Sequence, residues 1–509
     1  MPKLTRELVS ICWVLGVGGY TYGYCFACFV TILGQPGFYI SMGLDRTSVI
    51  GAANALFTFG AACGAIAQGF VADWLGRKKG MAIAAVLATV GGALAAGSVN
   101  IAMIITVRII QGVGAGMVIC LVPLYLAETA PPKRRGFLSG LTVLAFGFGY
   151  EACAFISVGS YFATDHVLQW RLPLALACTS PLLLICLLPL IPESPRYLIW
   201  KGHAEVANDV LRRLHRDPDD PSDSMAIAEF VQISQQVEHD KEMRAAYYDI
   251  FKKPSWRKRA LLVMFLLFAS QSTGILAIAN FLVLILGGLG FTGVLPILMF
   301  GIWSLVGSVG VLISIVIVDR VGRRVLLLSG YGALACILLA EAVLEWKYLG
   351  TDDQAGLSAC LLFLFFYILA YQAVDAPSFI WATEVWPTTL RAKGVSLMFF
   401  AYFVGAITYT TPGALMIKNI GWHIYLLYMS LCIVSGTIVY FFIPETKGLP
   451  MEELAALFGD QVMVRLTADA HEVLKNDVVE VEHVEMQAPA SRGSGKADIG
   501  ASRRAEGVA

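Results

Sequence analysis

The 509-residue chain is 57% hydrophobic and only 15% charged, with zero net charge and a mean hydropathy of +0.70. Soluble domains carry about a quarter charged residues, so a soluble fold is excluded and an integral membrane protein is expected. No basic block large enough for nucleic acid occurs, which removes that class of partner.

A helix needs ~20 apolar residues to cross a ~30 Å hydrocarbon core. Such stretches lie at 9–33, 47–72, 80–98, 101–127, 137–162 and 171–192. Six more lie at 259–285, 291–318, 325–346, 357–383, 393–416 and 422–443. The first is too long for a signal-peptide core and no small-residue cleavage site follows it, so it reads as a spanning helix. The reading is therefore an all-α membrane protein with a six-helix half over 1–192 and a second over 259–446. The polar linker 193–258 has amphipathic patches at Ala204–Leu214 and Met225–Val237, where short surface helices are expected. The tail 447–509 is polar and poor in aromatics, and is expected to be largely disordered.

Cations mark one side. Arg77, Lys78 and Lys79 follow the second stretch, and Lys133, Arg134 and Arg135 the fourth. Arg320, Arg323 and Arg324 follow the eighth; Arg391 and Lys393 follow the tenth. Loops on the other side are short and almost free of cations, so both termini and the linker are expected to be cytoplasmic. A plasma membrane is expected rather than an organelle. All eleven cysteines fall inside apolar runs and read as small core hydrophobes rather than disulfides or metal ligands.

Three motifs recur at nearly one period. The run around Asp73, Gly76, Arg77 and Lys78 returns 246 residues later at Asp319, Gly322, Arg323 and Arg324. Glu128, Pro131 and Arg135 return 256 residues later as Glu384, Pro387 and Arg391, and Pro192-Glu193-Ser194 returns 252 later as Pro444-Glu445-Thr446. Six stretches repeated in one orientation imply two parallel halves with a binding site between them near the midplane. On the cation-bearing side, Arg77, Arg135, Arg196, Arg323 and Arg391 sit opposite Glu128, Glu193, Glu384 and Glu445. These residues are expected to form a gate whose ion pairs lock the halves together and break when the site opens to the cytoplasm.

The ordered set resembles the sugar porter family of the major facilitator superfamily. The motifs are G-x-x-x-D-x-x-G-R-K, R-I-I-Q-G-V-G-A-G, P-L-Y-L-A-E-T-A-P, PESPRYL, D-R-V-G-R-R, E-V-W-P-x-x-x-R and PETKG, running from the first stretch to Gly448. The resemblance implies a twelve-helix major facilitator fold and alternating access for hexoses, pentoses or polyols, with or without protons. The family's Gln-Gln-x-x-Gly-x-Asn pattern here reads Ser270-Gln271-Ser272-Thr273-Gly274-Ile275-Leu276, a polar island inside the apolar run Phe265–Phe281. Ser270, Gln271 and Thr273 are its substrate-facing candidates.

The departures are informative. Positions where sugar carriers have polar or Trp contacts read Val143 and Tyr150 on the fifth stretch and Gly307 on the eighth. Phe379 stands five residues before Glu384, with Trp381 close by, and Tyr402 stands eleven after Arg391. A site that bonds hydroxyls discriminates through buried polar groups, which Leu, Val, Gly and Phe lack. The expected pocket is aromatic, with Tyr150, Phe379, Trp381 and Tyr402 around sparse polar points. It suits an unusual polyol, a cyclic organic acid or a secondary metabolite.

Proton-coupled members of the family have an Asp on the first stretch, where this chain reads Gly19-Tyr20-Thr21-Tyr22-Gly23. Arg108 on the fourth remains, ~10 Å from the outer boundary, and Glu151 on the fifth lies at a similar depth, ~9 Å. The two are expected to pair, either as a proton-coupling site or as a permanent structural pair. Asp375 is a second coupling candidate. Glu341 and Glu345 are expected to reach the outer interface.

No HExxH, GxSxG or paired-Asp signature lies in the apolar stretches, and the seven histidines lie in loops, the tail or at a stretch edge. The chain is therefore not expected to be an enzyme, nor to need a cofactor or metal. The expected function is a secondary transporter of a small organic solute working as a monomer in the bilayer, with proton coupling left open. The alternatives are a hexose or polyol facilitator and a non-transporting nutrient sensor.

Overall fold

The computed structural model describes residues 5–42, 50–130, 135–214, 247–351, 353–386 and 390–447, with Phe458 and scattered residues between 226 and 237. Among these, twelve helices are long and apolar enough to span a membrane, and no strand occurs. The first half contains α1 (Arg6–Ile32), α2 (Ile50–Leu75), α3 (Arg77–Ala96), α4 (Ile101–Thr129), α5 (Arg135–Tyr161) and α6 (His166–Leu190). The second contains α7 (Pro254–Gly288), α8 (Leu295–Val321), α9 (Arg323–Tyr348), α10 (Gln354–Glu384), α11 (Arg391–Ile420) and α12 (His423–Phe442). Short helices Pro195–Trp200, Ala204–Leu214 and Tyr247–Lys252 belong to the linker. The second amphipathic patch falls largely outside the described residues, as does nearly all of the tail.

Helix starts follow their side chains. Thr5, Asn100 and Asp353 accept hydrogen bonds from the first-turn N–H groups of Leu8, Met103 and Ala355, capping α1, α4 and α10. The lipid-facing surfaces carry Phe59, Val86, Leu183, Leu312 and Phe441. Cys63, Cys186 and Cys336 are also exposed there, correcting their expected core placement; all eleven thiols are free.

The repeated motifs build the same knot twice. Gly76 (φ 92°) turns the chain between α2 and α3, and Gly322 (φ 105°) does so between α8 and α9. A Cβ there would meet Glu193 Oε2 at 2.7 Å or Glu445 Oε2 at 2.6 Å, so glycine is needed for both conformation and approach. The Glu193 carboxylate accepts from the N–H of Arg77 at 3.0 Å and Lys78 at 3.2 Å, capping α3. Glu445 does the same for α9, accepting from Arg323 and Arg324, both at 3.0 Å. The Arg77 side chain forks onto Glu128 at 2.7 and 2.8 Å, and Ser194 donates to the same carboxylate. In the mirror knot, Arg323 donates to Glu384 at 2.9 Å and Thr446 bonds its other oxygen.

These pairs lie inside each half, which corrects the expectation that they lock one half to the other. The repeat itself is the physical reason: a motif duplicated with its partner folds onto that partner. The lock between halves comes from unduplicated chemistry. Lys393 on α11 reaches Asp73 on α2 at 3.1 Å, and Ser396 donates to Gln68 at 2.9 Å. Asp319, the repeat partner of Asp73, instead pairs with Arg323 at 2.8 Å. Arg391 is buried and Arg196 lies near Glu128. The Arg135 side chain is outside the described residues.

Removing Arg77 strands a buried carboxylate, which typically costs about 3–5 kcal/mol. Arg77→Ala is expected to lower the melting temperature in detergent more than the double change Arg77→Ala/Glu128→Gln. Equal losses in both variants would refute the buried-pair account.

Candidate functional site

Where the halves meet, α1, α4 and α5 face α10 and α11 across a narrow cavity. Tyr22, Phe146, Asp375, Phe379, Phe399 and Tyr402 dominate its wall. The free volume is only about 50 Å³. Gln68–Ser396 and Asp73–Lys393 close it on the cation-rich face. On the other face Gly34, just past α1, packs against Val283 and Ile297 so closely that a Cβ would lie 2.6 Å from the isoleucine.

Aromatic stacking shapes the walls. Tyr22 stacks on Phe146 with centroids 5.2 Å apart, and Phe379 lies 5.4 Å from Phe399 and 5.7 Å from Tyr402. Tyr150 sits one turn beyond Phe146, edge-on to it at 5.0 Å. Asp375 is the only acidic or basic residue on the cavity wall among the described residues. Tyr371, one turn earlier on α10, donates to its Oδ1 at 2.8 Å, and Asp375 makes no ion pair among the described residues. Trp381 does not join this wall. Two residues past Phe379 it points to the other side of α10, where its indole donates to Pro444 O at 2.9 Å.

The polar island breaks α7. Its first piece ends at Gln271 and the second begins at Ile275, with Gly274 at φ 88° between them. The Tyr428 ring packs where a Gly274 Cβ would stand. The break frees the Thr273 carbonyl, which accepts from Tyr367 of α10 at 3.0 Å, and Ser272 pairs with Tyr409 at 2.9 Å. Ser270 and Thr273 spend their hydroxyls on Leu267 O and Ser270 O. Gln271 donates to Ser270 and lies against Tyr402, but its Oε1 is buried without a partner.

A residue that motif matching passes over is Asn280, 1% exposed, with neither amide atom bonded. It lies one turn beyond Leu276, on the stripe that continues to Val283 and so faces the first half. The i, i+4 spacing from the expected Asn position was the available signal.

Arg108 and Glu151 are not paired. Arg108 donates to Cys25 O at 2.9 Å and Gln111 Oε1 at 3.0 Å, and its guanidinium lies 4.2 Å from the centre of Phe57. Glu151 lies beside Ser308 of α8, and its Oε1 has no hydrogen-bond partner. Equal depth did not mean equal direction: Arg108 turns to α1 and α2, Glu151 to α8. Glu341 and Glu345 are likewise buried rather than interfacial. They lie on the same stripe of α9 as Leu334 and Leu338, and Tyr425 donates to Glu345 at 2.8 Å.

Against known proteins, the family described as Sugar (and other) transporter matches residues 11–458. The chain belongs to this family. Among curated relatives, it is 29% identical to the MFS-type transporter criB of Aspergillus cristatus, covering 94% of this chain and 99% of criB. It is 24% identical to the high-affinity glucose transporter 1 of Candida albicans, covering 95% and 93% of the two chains. Its fold matches the proton:xylose symporter XylE bound to 6-bromo-6-deoxy-D-glucose, with TM-score 0.77, 22% identity, and coverage of 89% of this chain and 99% of XylE. An inward-open XylE from E. coli matches with TM-score 0.68 at 22% identity, covering 88% and 99%. The fold is that of the major facilitators, and the protein is a multi-pass membrane transporter.

In this transporter Gly274→Ala would force a left-handed residue to carry a Cβ into Tyr428. The expected cost is about 1–3 kcal/mol in stability. Gly274→Ala should lower the melting temperature more than Gly288→Ala, where nothing lies within 4 Å of the new Cβ.

Proposed function

We propose that this protein is an alternating-access carrier of an amphiphilic, ring-bearing solute with few hydroxyls, coupled to protons through Asp375. The observation that carries the reading is that carboxyl group. It stands on the wall of the inter-half cavity, held among the described residues by Tyr371 alone, where a charge is costly unless solvated or neutralised. A carboxyl group that meets the solute and has no cationic partner is suited to take up and release a proton as the halves rock. The Arg108–Glu151 route loses support because the two groups face different neighbours.

The aromatic wall suits a broad apolar body rather than a hexose ring. The unpartnered Gln271 Oε1 and Asn280 amide leave hydrogen-bonding capacity on α7 for one or two hydroxyls. A second reading, a polyol or hexose facilitator, draws on the same amide atoms and on relatives named as a glucose transporter and as myo-inositol transporter 2 of Cryptococcus neoformans. In the proposed cycle the cation-rich face is cytoplasmic, and the Asp73–Lys393 and Gln68–Ser396 contacts form its gate. The glutamate–arginine knots keep each half rigid.

Purified protein in vesicles with a trapped pH dye, offered hexoses, myo-inositol and cyclic acids or phenols, tests the reading. Solute-driven proton movement is expected in wild type and lost in Asp375→Asn, which should retain counterflow exchange. Transport without proton movement would make the protein a facilitator, and no transport of any solute would favour a sensor. Asn280→Leu is expected to raise KM for the transported solute about tenfold, the loss of one hydrogen bond to a buried partner. An unchanged KM would remove Asn280 from the site.

A further inference from the structure

Outside the transport cavity, Lys78, Lys79, Lys201 and His203 gather along one edge of a cleft of about 750 Å³ on the cation-rich face of the first half. Its other wall is apolar, formed by Ala82, Ile185 and Leu188. That wall runs into the lipid-facing surface of α3 and α6, where Val86, Leu182 and Leu183 are exposed. Trp74 and Trp200, 73% and 40% exposed, flank the region as aromatic residues do at headgroup level. The carboxylate on the cleft, Glu193, is already occupied by the N–H groups of Arg77, Lys78 and Ser194. The Lys78 ammonium is partly engaged with Ile191 O, while Lys79, Lys201 and His203 are exposed.

The second half shows that this is not a by-product of the repeat. Arg324 stands where Lys78 does, and its guanidinium lies 5.4 Å from the ring of Tyr440 and donates to that residue's carbonyl. The position of Lys79 is taken by Val325, and Tyr440 corresponds to Leu188. Lys201 also lies over a ring, 5.6 Å from the centre of Tyr197, so what sets the first half apart is Lys79, exposed beside the apolar wall where the second half has a valine.

We propose that this cleft binds an anionic phospholipid of the adjoining leaflet. The headgroup phosphate lies on Lys79, Lys201 and His203, and an acyl chain runs along Ile185 and Leu188. A soluble anion would use the cations and leave the apolar wall in water, whereas a phospholipid satisfies both. Each cation near an anionic headgroup contributes about 1 kcal/mol, so removing two should weaken binding about thirtyfold.

The test is native mass spectrometry of the full-length protein in detergent with equimolar dioleoyl phosphatidylserine and dioleoyl phosphatidylcholine. Retention of phosphatidylserine over phosphatidylcholine is expected in wild type and in Lys418→Gln, whose lysine is exposed at the opposite face. Lys79→Gln/Lys201→Gln should lose that preference about thirtyfold while keeping the wild-type melting temperature. The Glu193 cap uses only backbone N–H groups and survives the change. Equal retention of both lipids, or an unaltered preference in the double variant, overturns the proposal. So does competition by glycerophosphoserine at the concentration of the intact lipid, which would assign the cleft to a soluble anion. Phosphatidylserine binding seen only after removal of residues 461–509 would make the tail the occupant and also overturn it.

Discussion

The structure depends on one kind of interaction made in each half at its cation-rich end: an arginine donating to a glutamate, as a two-bond fork in Arg77–Glu128 and as a single bond in Arg323–Glu384. In a low-dielectric interior neither charge is tolerable alone, so the pair forms only when its helices are already in place. That requirement ties the α2–α3 turn, the end of α4 and the start of the linker into one unit. The matching pair ties the α8–α9 turn, α10 and the segment after α12. The glutamates at the helix N-termini add a cap aligned with the helix dipole, and the two left-handed glycines give the carboxylates room. Each half is thereby fastened within itself at its cation-rich end.

Duplication explains the strength within halves and the economy between them. The contact between the halves on the cation-rich face uses a partly buried Asp–Lys pair and one buried hydroxyl–amide bond, interactions worth roughly a kcal/mol each. Terms of that size are more easily broken than the buried arginine–glutamate pairs inside the halves. The difference between Asp73, which reaches the other half, and Asp319, which folds back on its own arginine, places the closure on one side of the pseudo-symmetric structure.

The cavity inherits its character from what replaced the family's polar residues. Aromatic rings fill the wall by stacking on one another, so the space is shaped by dispersion and offers few hydrogen bonds. Against that background a single carboxyl group has large leverage. The break in α7 adds the second ingredient, a spanning helix whose carbonyl at Thr273 is held by a tyrosine from α10. The polar island is thus first a break in the helix, and among its described residues only the glutamine keeps an unused side-chain atom.

The twelve spans and the two halves follow from the sequence because hydrophobic length, cation placement and repeat spacing are one-dimensional properties; the repeat named the residues of the knots, but not that they pair inside each half. Asp375, Phe379 and Tyr402 were found the same way, by counting along a helix from a recognised motif. Direction around the helix was not. Arg108 and Glu151 share a depth and look to different neighbours, Trp381 turns away from a cavity that Phe379 enters, and Glu341 and Glu345 point inward. Asn280 gains its interest only from being buried without a partner. Depth is set by residue number and a 1.5 Å rise, so sequence determines it. Which face a side chain meets depends on how helices rotate against each other, and packing energies summed over the whole bundle decide that.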